Sequence, residues 1–211
     1  TSFFKIINLS DSDDTNTLIS ALESNDEKIN IGHAGTAMRF LTSYFSSTQN
    51  SSKILTGSER MKERPISILV DALNSIGADI EYIDKVGYPP IRLKGKLISN
   101  YTVSLPANVS SQYLSSLMML GISLSEGLII NLSTKITSLP YIKMTKELIE
   151  RVGGKIFIQP DKIIVEPILE NKISDQTVES DWSSASYFYS LVALSDFSEI
   201  TISSFFKKSI Q

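Results

Sequence analysis

Apolar residues recur at two periods along this chain, and the two periods alternate. Spacings of three and four residues run through 15–22, 36–45, 65–76, 111–120, 141–152 and 184–194, which predicts helices with one apolar face. Between them, short runs rich in Ile, Val and aromatic residues predict strands at Phe4–Asn8, Ile54–Leu55, Asp79–Ile83, Val103–Leu105, Leu128–Leu132, Lys155–Ile158 and Ile163–Val165. The 65–76 helix is punctuated at both ends: Pro65 falls where a first-turn N–H has no partner anyway, and Gly77 stands just past the last turn. Strands alternating with helices predict an α/β fold.

The pattern also repeats. The helix at 65–76 followed by Gly77 resembles the helix at 141–152 followed by Gly153, 76 residues later, and each leads into a strand, a turn and another strand. A second kind of helix follows a small, polar entry at Gly35–Leu41, Ser110–Leu117 and Ser183–Leu191, about 75 residues apart. A period this long is no solenoid repeat. It fits two or three copies of a βαβαββ unit sharing one core. The polar segment 170–178 predicts a boundary, so that 1–174 form most of one domain and 175–211 open a second.

Composition narrows the chemistry. With 211 residues, 42% hydrophobic and 20% charged, the chain can bury a substantial core. It shows no apolar run of membrane length and no secretion leader, so a cytoplasmic protein is expected. Zero cysteines exclude disulfides, zinc–thiolate sites and a cysteine nucleophile. The single histidine, His33, leaves no histidine cluster for a metal and makes a Ser-His-Asp triad unpromising. A net charge of −3 argues against nucleic-acid binding. Attraction for an anionic ligand would have to come from local arginines and backbone dipoles.

Such groups are concentrated in two loops. GHAGTAMRF at 32–40 and LTGSERMKERPI at 55–66 hold three of the five arginines, Arg39, Arg60 and Arg64, beside small residues, and each runs into a helix. A helix start with accessible N–H groups and guanidinium neighbours suits phosphate or carboxylate. Taken singly, each loop is equally explained by turns at Gly35 and Gly57 with solvated arginines; together they point to anion binding. Ser110-Ser111-Gln112 opens another helix, where Ser110 either caps or helps hold a phosphate. Ser138 and Tyr141 open the next, with capping and core packing as the plainer explanation. The acidic run Asp11–Asp14 is expected to cap the helix at Thr15 and not to hold a metal. Phosphate-loop, dinucleotide-fingerprint, HExxH and GxSxG motifs are all missing.

Read together, NLSDSDDT at 8–15, GHAGTAMRFL at 32–41, LTGSERMKERPI at 55–66, NVSSQYL at 108–114, SLPY at 138–141 and ESDWSSASYF at 179–188 resemble the 5-enolpyruvylshikimate-3-phosphate synthase family, in its order and spacing. The resemblance implies transfer of the enolpyruvyl group of phosphoenolpyruvate to the 5-hydroxyl of shikimate 3-phosphate, with release of phosphate. It implies an enolpyruvyl-transferase-type fold, an inside-out α/β barrel of βαβαββ units in two domains, with substrates in the cleft. It also implies no metal or organic cofactor, a monomer, and glyphosate as an inhibitor of the full enzyme. By motif, Gly35 and Arg64 would contact phosphoenolpyruvate, with Thr36 and Arg39 shaping that pocket. Ser110, Ser111 and Ser138 would hold the phosphate of shikimate 3-phosphate, Gln112 would lie against both ligands, and Tyr141 would stand beside the shikimate ring. His33 occupies a position where the family usually has Asn. The family's GSKS-type segment would precede Thr1, and its catalytic carboxylates and further arginines would lie in the second domain. The chain is therefore expected to be an inactive, substrate-binding fragment, and Asp181 is not assigned as a catalytic base. UDP-N-acetylglucosamine enolpyruvyl transferase, of the same fold, is disfavoured because its usual catalytic cysteine has no counterpart. A non-catalytic anion-binding module of this fold is the other alternative.

Overall fold

In the computed structural model, which describes residues 4–108, 110–169 and 174–211, the stretch from 28 to 94 folds as β-α-β-α-β-β and the stretch from 102 to 166 does so again. A short strand β1 (Ile6–Ile7) and helix α1 (Asp13–Glu23) come first. The first unit is β2 (Lys28–Asn30), α2 (Gly35–Ser47), β3 (Ser52–Thr56), a one-turn helix α3 (Glu59–Lys62), α4 (Ser67–Ser75), β4 (Asp79–Tyr82) and β5 (Ile91–Lys94). The second is β6 (Thr102–Leu105), α5 (Ser111–Gly121), β7 (Leu128–Leu132), α6 (Leu139–Arg151), β8 (Lys155–Ile158) and β9 (Lys162–Glu166). Gly35 and Ser111, Ser52 and Leu128, and Asp79 and Lys155 each stand 76 positions apart, the period legible in the sequence.

Both units make the same sheet. In each, the first two strands pair in parallel and the last two form an antiparallel hairpin that joins the second, giving the orders β2-β3-β5-β4 and β6-β7-β9-β8. Strands such as β6 and β5 alternate buried and more exposed positions, so each sheet turns one face to the core and the other outward. Helix α5 is buried along nearly its whole length, from Tyr113 to Gly121, and α2 is almost as enclosed. Two enclosed helices with the sheets outside them are the inside-out arrangement that the family resemblance implies.

Enclosed helices must satisfy whatever polar groups they carry. On α2, the Thr42 hydroxyl donates to the Met38 carbonyl at 2.6 Å and the Ser46 hydroxyl to that of Ser43 at 2.9 Å. Small side chains also let α2 and α5 approach closely. The Ser43 and Ser116 hydroxyls meet at 2.6 Å, and Ser116 donates to the Arg39 carbonyl at 2.8 Å. Gln112 bonds Thr36 at 2.9 Å one turn earlier, so contacts climb both helices together and the two run parallel.

Several local expectations are corrected. Helix α4 begins at Ser67 with Ile66 at its N-cap, so Pro65 lies outside it; Ile66 N–H instead donates to the Gly87 carbonyl at 2.9 Å. Gly77 does follow the last turn, at φ +108°. The first helix is capped by Ser12, which accepts from Thr15 N–H, while Asp13 and Asp14 lie in its first turn. Strand β2 and helix α3 lacked a sequence signal of their own, β5 is the further strand expected after the 65–76 helix and its first strand, and the run at Phe4–Asn8 is a strand only over Ile6–Ile7.

The chain's two ends are held together. Strand β10 (Gln176–Thr177) pairs in parallel with β1 and is followed by α7 (Trp182–Ala193). Beside it, burial of the Glu179 carboxyl pushes its pKa up, but bonds from Phe206 N–H (3.0 Å), the Ser209 hydroxyl (2.8 Å) and the Trp182 indole (2.9 Å) outweigh that and hold it below the ordinary value. Asp181, bonded by the Ser184 hydroxyl and the Ser183 N–H at the start of α7, is lowered as well. Both carboxylates therefore stabilise this segment fully above the ordinary carboxylate range, and the contribution is lost as pH falls through their lowered folded values. Fluorescence of Trp182, the single tryptophan, is expected to stay constant from pH 7 to about 4.5 and to change below that. A transition between pH 5 and 7 would contradict the assignment.

Candidate anion-binding site

Parallel pairing decides where the loops go. Strands β2 and β3 end on the same side, which sets 31–35 against 57–66, and β6 and β7 do the same for 106–108 and 133–139. In the first pair, Ile31 N–H donates to the Thr56 carbonyl and Ser58 N–H to the Gly32 carbonyl, both at 3.0 Å. Gly57 has to be glycine, since a Cβ there would lie 2.7 Å from the Gly32 carbonyl oxygen. In the second pair, the N–H groups of Ala107 and Asn108 donate to the Thr134 hydroxyl at 2.7 and 2.9 Å. Since α2 and α5 are parallel and each helix leaves a strand at the same end, the N-termini of α2, α4, α5 and α6 gather at one end of the molecule.

Three of those four N-termini lack a side-chain cap. Ala34, Ile66 and Ser138 occupy the N-cap positions of α2, α4 and α6, and none accepts a bond from the first turn through its side chain. First-turn N–H groups have no partner within the helix. Only α5 is capped, by Ser110, whose hydroxyl accepts from Gln112 N–H at 3.3 Å.

The arginines complete the picture. Arg39 is 4% exposed, and its guanidinium donates to the Gly35 carbonyl at 3.0 Å, to the Pro65 carbonyl at 3.3 Å and weakly to Met61 Sδ at 3.8 Å. Its Nε has no partner. Burial lowers its pKa, the neighbouring Arg64 charge adds to this, and the Tyr113 phenol opposes it; a guanidinium nevertheless stays cationic. Arg64 is exposed and its guanidinium lies over Gly35, where a Cβ would come within 2.8 Å of Arg64 Cζ. Among the described residues neither arginine takes part in a salt bridge. A buried cation is ordinarily paired with a carboxylate. Arg39, bonded only to carbonyls and Met61 Sδ with the Arg64 cation beside it, sits in a local field that an anion would relieve.

The other expected residues divide by position. Thr36 and Gln112 are joined directly, tying the two loop pairs together. His33 is exposed and bonds through Nδ1 to the Ser58 hydroxyl at 2.9 Å, and that hydroxyl caps α3 by accepting from Met61 N–H at 3.3 Å. Ser110 is exposed and Ser111 half-buried at the start of α5. Ser138 stands at the N-cap of α6 with its hydroxyl uncommitted to the helix, and Tyr141 is 58% exposed on the first turn. Arg60 lies exposed on α3. Sequence reasoning missed Ser58 and Tyr113. Ser58 could have been found as the cap in GSER; Tyr113 read only as an apolar position of its helix.

A family model described as EPSP synthase (3-phosphoshikimate 1-carboxyvinyltransferase) matches residues 5–211. The chain belongs to the EPSP synthase family. It is 46% identical over 204 residues to the 3-phosphoshikimate 1-carboxyvinyltransferase of Bacteroides fragilis (strain YCH46), covering 97% of this chain and 50% of that protein. With the protein of that name from Colwellia psychrerythraea it shares 35% identity over 238 residues, 98% of this chain and 55% of the other. The chain thus spans about half the length of the curated relatives it matches. A solved EPSP synthase from Acinetobacter baumannii superposes with a TM-score of 0.72 at 19% identity, covering 88% of this chain and 46% of that one, which shows the shared fold.

Two glycine substitutions separate the architecture of this EPSP synthase-family site from its chemistry. Gly57→Ala meets backbone and is expected to destabilise the fold by about 1–3 kcal/mol, measured by urea unfolding. Gly35→Ala meets first the far end of the Arg64 side chain and not backbone, so stability is expected to hold or rise slightly, while affinity for an anionic ligand falls about tenfold as the guanidinium is displaced. Loss of both properties in Gly35→Ala would contradict the assigned geometry.

Proposed function

We propose that this chain provides the anion-receiving half of an enzyme that transfers the enolpyruvyl group of phosphoenolpyruvate to the 5-hydroxyl of shikimate 3-phosphate and releases phosphate. The observation that carries the reading is the Arg39–Arg64 pair at the uncapped start of α2, cationic and without a carboxylate partner among the described residues. In this reading Arg64, with Gly35 below it, offers a guanidinium fork and helix-start N–H groups to phosphoenolpyruvate. Thr36 and Arg39 shape that pocket from beneath.

Shikimate 3-phosphate takes the neighbouring helix starts. Ser110, Ser111 and Ser138 donate to its phosphate, and Tyr141 stands beside its ring. Gln112 has spent one amide N–H on Thr36 and still has its other N–H and its carbonyl for the two ligands. His33 donates to an anion only through the ring nitrogen not bonded to Ser58. No metal or organic cofactor enters the reaction that the family resemblance implies. Residues 175–211 open a second domain, and turnover requires the part of the relatives' length outside this chain. The enzyme is read as cytoplasmic and monomeric, with glyphosate as its inhibitor.

Calorimetric titration with shikimate 3-phosphate tests the reading, with shikimate and inorganic phosphate as controls. Saturable binding tighter than either control is expected, weakened about fivefold by Ser110→Ala or Ser138→Ala, as for one lost hydrogen bond of about 1 kcal/mol. Equal affinity for shikimate, or indifference to both substitutions, would contradict it.

A further inference from the structure

The geometry points to Tyr113 as a positioning residue that holds Arg64 in place through the Pro65 carbonyl. This inference rests on the reading of Arg64 as a ligand for phosphoenolpyruvate. Tyr113 lies on the first turn of α5 and is 6% exposed, and its phenol donates to the Pro65 carbonyl at 2.8 Å. Arg39 donates to the same oxygen at 3.3 Å while also holding the Gly35 carbonyl. One carbonyl in the 57–66 loop is therefore gripped from both core helices, by a neutral donor from α5 and a cationic donor from α2.

The grip reaches Arg64 through the backbone. Proline fixes its own φ, and the residue before proline is confined to extended conformations. With the Pro65 carbonyl fixed, Ile66 N–H bonded to the Gly87 carbonyl and Arg64 N–H to that of Met61, little freedom is left at the Arg64 Cα. The guanidinium is then delivered over Gly35 against repulsion from Arg39. Removing the phenol would leave the carbonyl to Arg39 alone, through the longer of the two contacts and with nothing from α5.

The test compares Tyr113→Phe with Tyr101→Phe in the 211-residue chain. The second variant deletes a phenol bonded to Ser125, away from the arginine loops. The readouts are NMR relaxation at Arg64 Nε–Hε, amide exchange at Arg64 and Ile66, and affinity for phosphoenolpyruvate. In Tyr113→Phe, a lower Arg64 Nε–Hε order parameter, amide exchange at least threefold faster and affinity at least threefold weaker are expected, with no change in Tyr101→Phe. Arg64 dynamics unchanged in Tyr113→Phe, or changed equally in both variants, would overturn the inference. If Arg64 loosens in Tyr113→Phe alone while the unaltered chain shows no affinity for phosphoenolpyruvate, positioning by Tyr113 stands and the ligand assigned to Arg64 falls.

Discussion

Parallel alignment of α2 and α5 is the constraint on which the rest of this structure depends. Parallel strand pairing sends both helices of each unit off from one end, and the contacts from Thr36–Gln112 up to Ser43–Ser116 then align the two units. Hydroxyl side chains then satisfy one another where the two helices meet, through Ser43, Ser116 and the Arg39 carbonyl. Antiparallel helices would cancel their end charges. Parallel ones add them, each N-terminus contributing roughly half a positive charge. One end of the molecule thus collects helix-start partial charges beside Arg39 and Arg64, although the chain as a whole carries −3.

That end is held in an electrostatically unfavourable state. A buried guanidinium with only carbonyl partners gains less than one paired with a carboxylate, and the adjacent Arg64 charge makes it worse. The core around it makes the arrangement tolerable. Met61, Ile66, Leu69 and Met38 are essentially fully buried nearby and fix the loops that carry the arginines. Local strain of this kind is typical of sites whose partner is a ligand and not another side chain.

Most of the architecture was legible in the sequence, because the helices announce themselves by period and the repeat by spacing. The 76-residue offset and the βαβαββ order both follow from residues such as Gly77 and Gly153, which end equivalent helices at φ +108° and +97°. Strand β2 was not legible, and β5 only as a further strand without bounds. Lys-Ile-Asn and Ile-Arg-Leu-Lys are short, and pairing with β3 from both sides, not intrinsic propensity, makes them strands. Pro65 misled for a similar reason: its place before an apolar run reads as a helix start, but the loop's own bonds to Tyr113, Arg39 and Gly87 hold it outside. The residues proposed to bind anions stand out as motifs, whereas the tyrosine proposed to support them does not. A phenol at 113 looks like any aromatic on a buried helix until its hydroxyl is seen to end on a backbone carbonyl.

The central claim is that one end of this molecule, where parallel helix N-termini and unpaired arginines gather, receives two anionic substrates. Amide chemical-shift mapping with shikimate 3-phosphate and then phosphoenolpyruvate tests it most directly. The account predicts perturbations confined to residues 32–36, 57–66, 110–112 and 138–141, with the opposite helix ends at 47–50 and 121–127 unmoved. Shifts centred on those opposite ends, or scattered evenly over the surface, would contradict it.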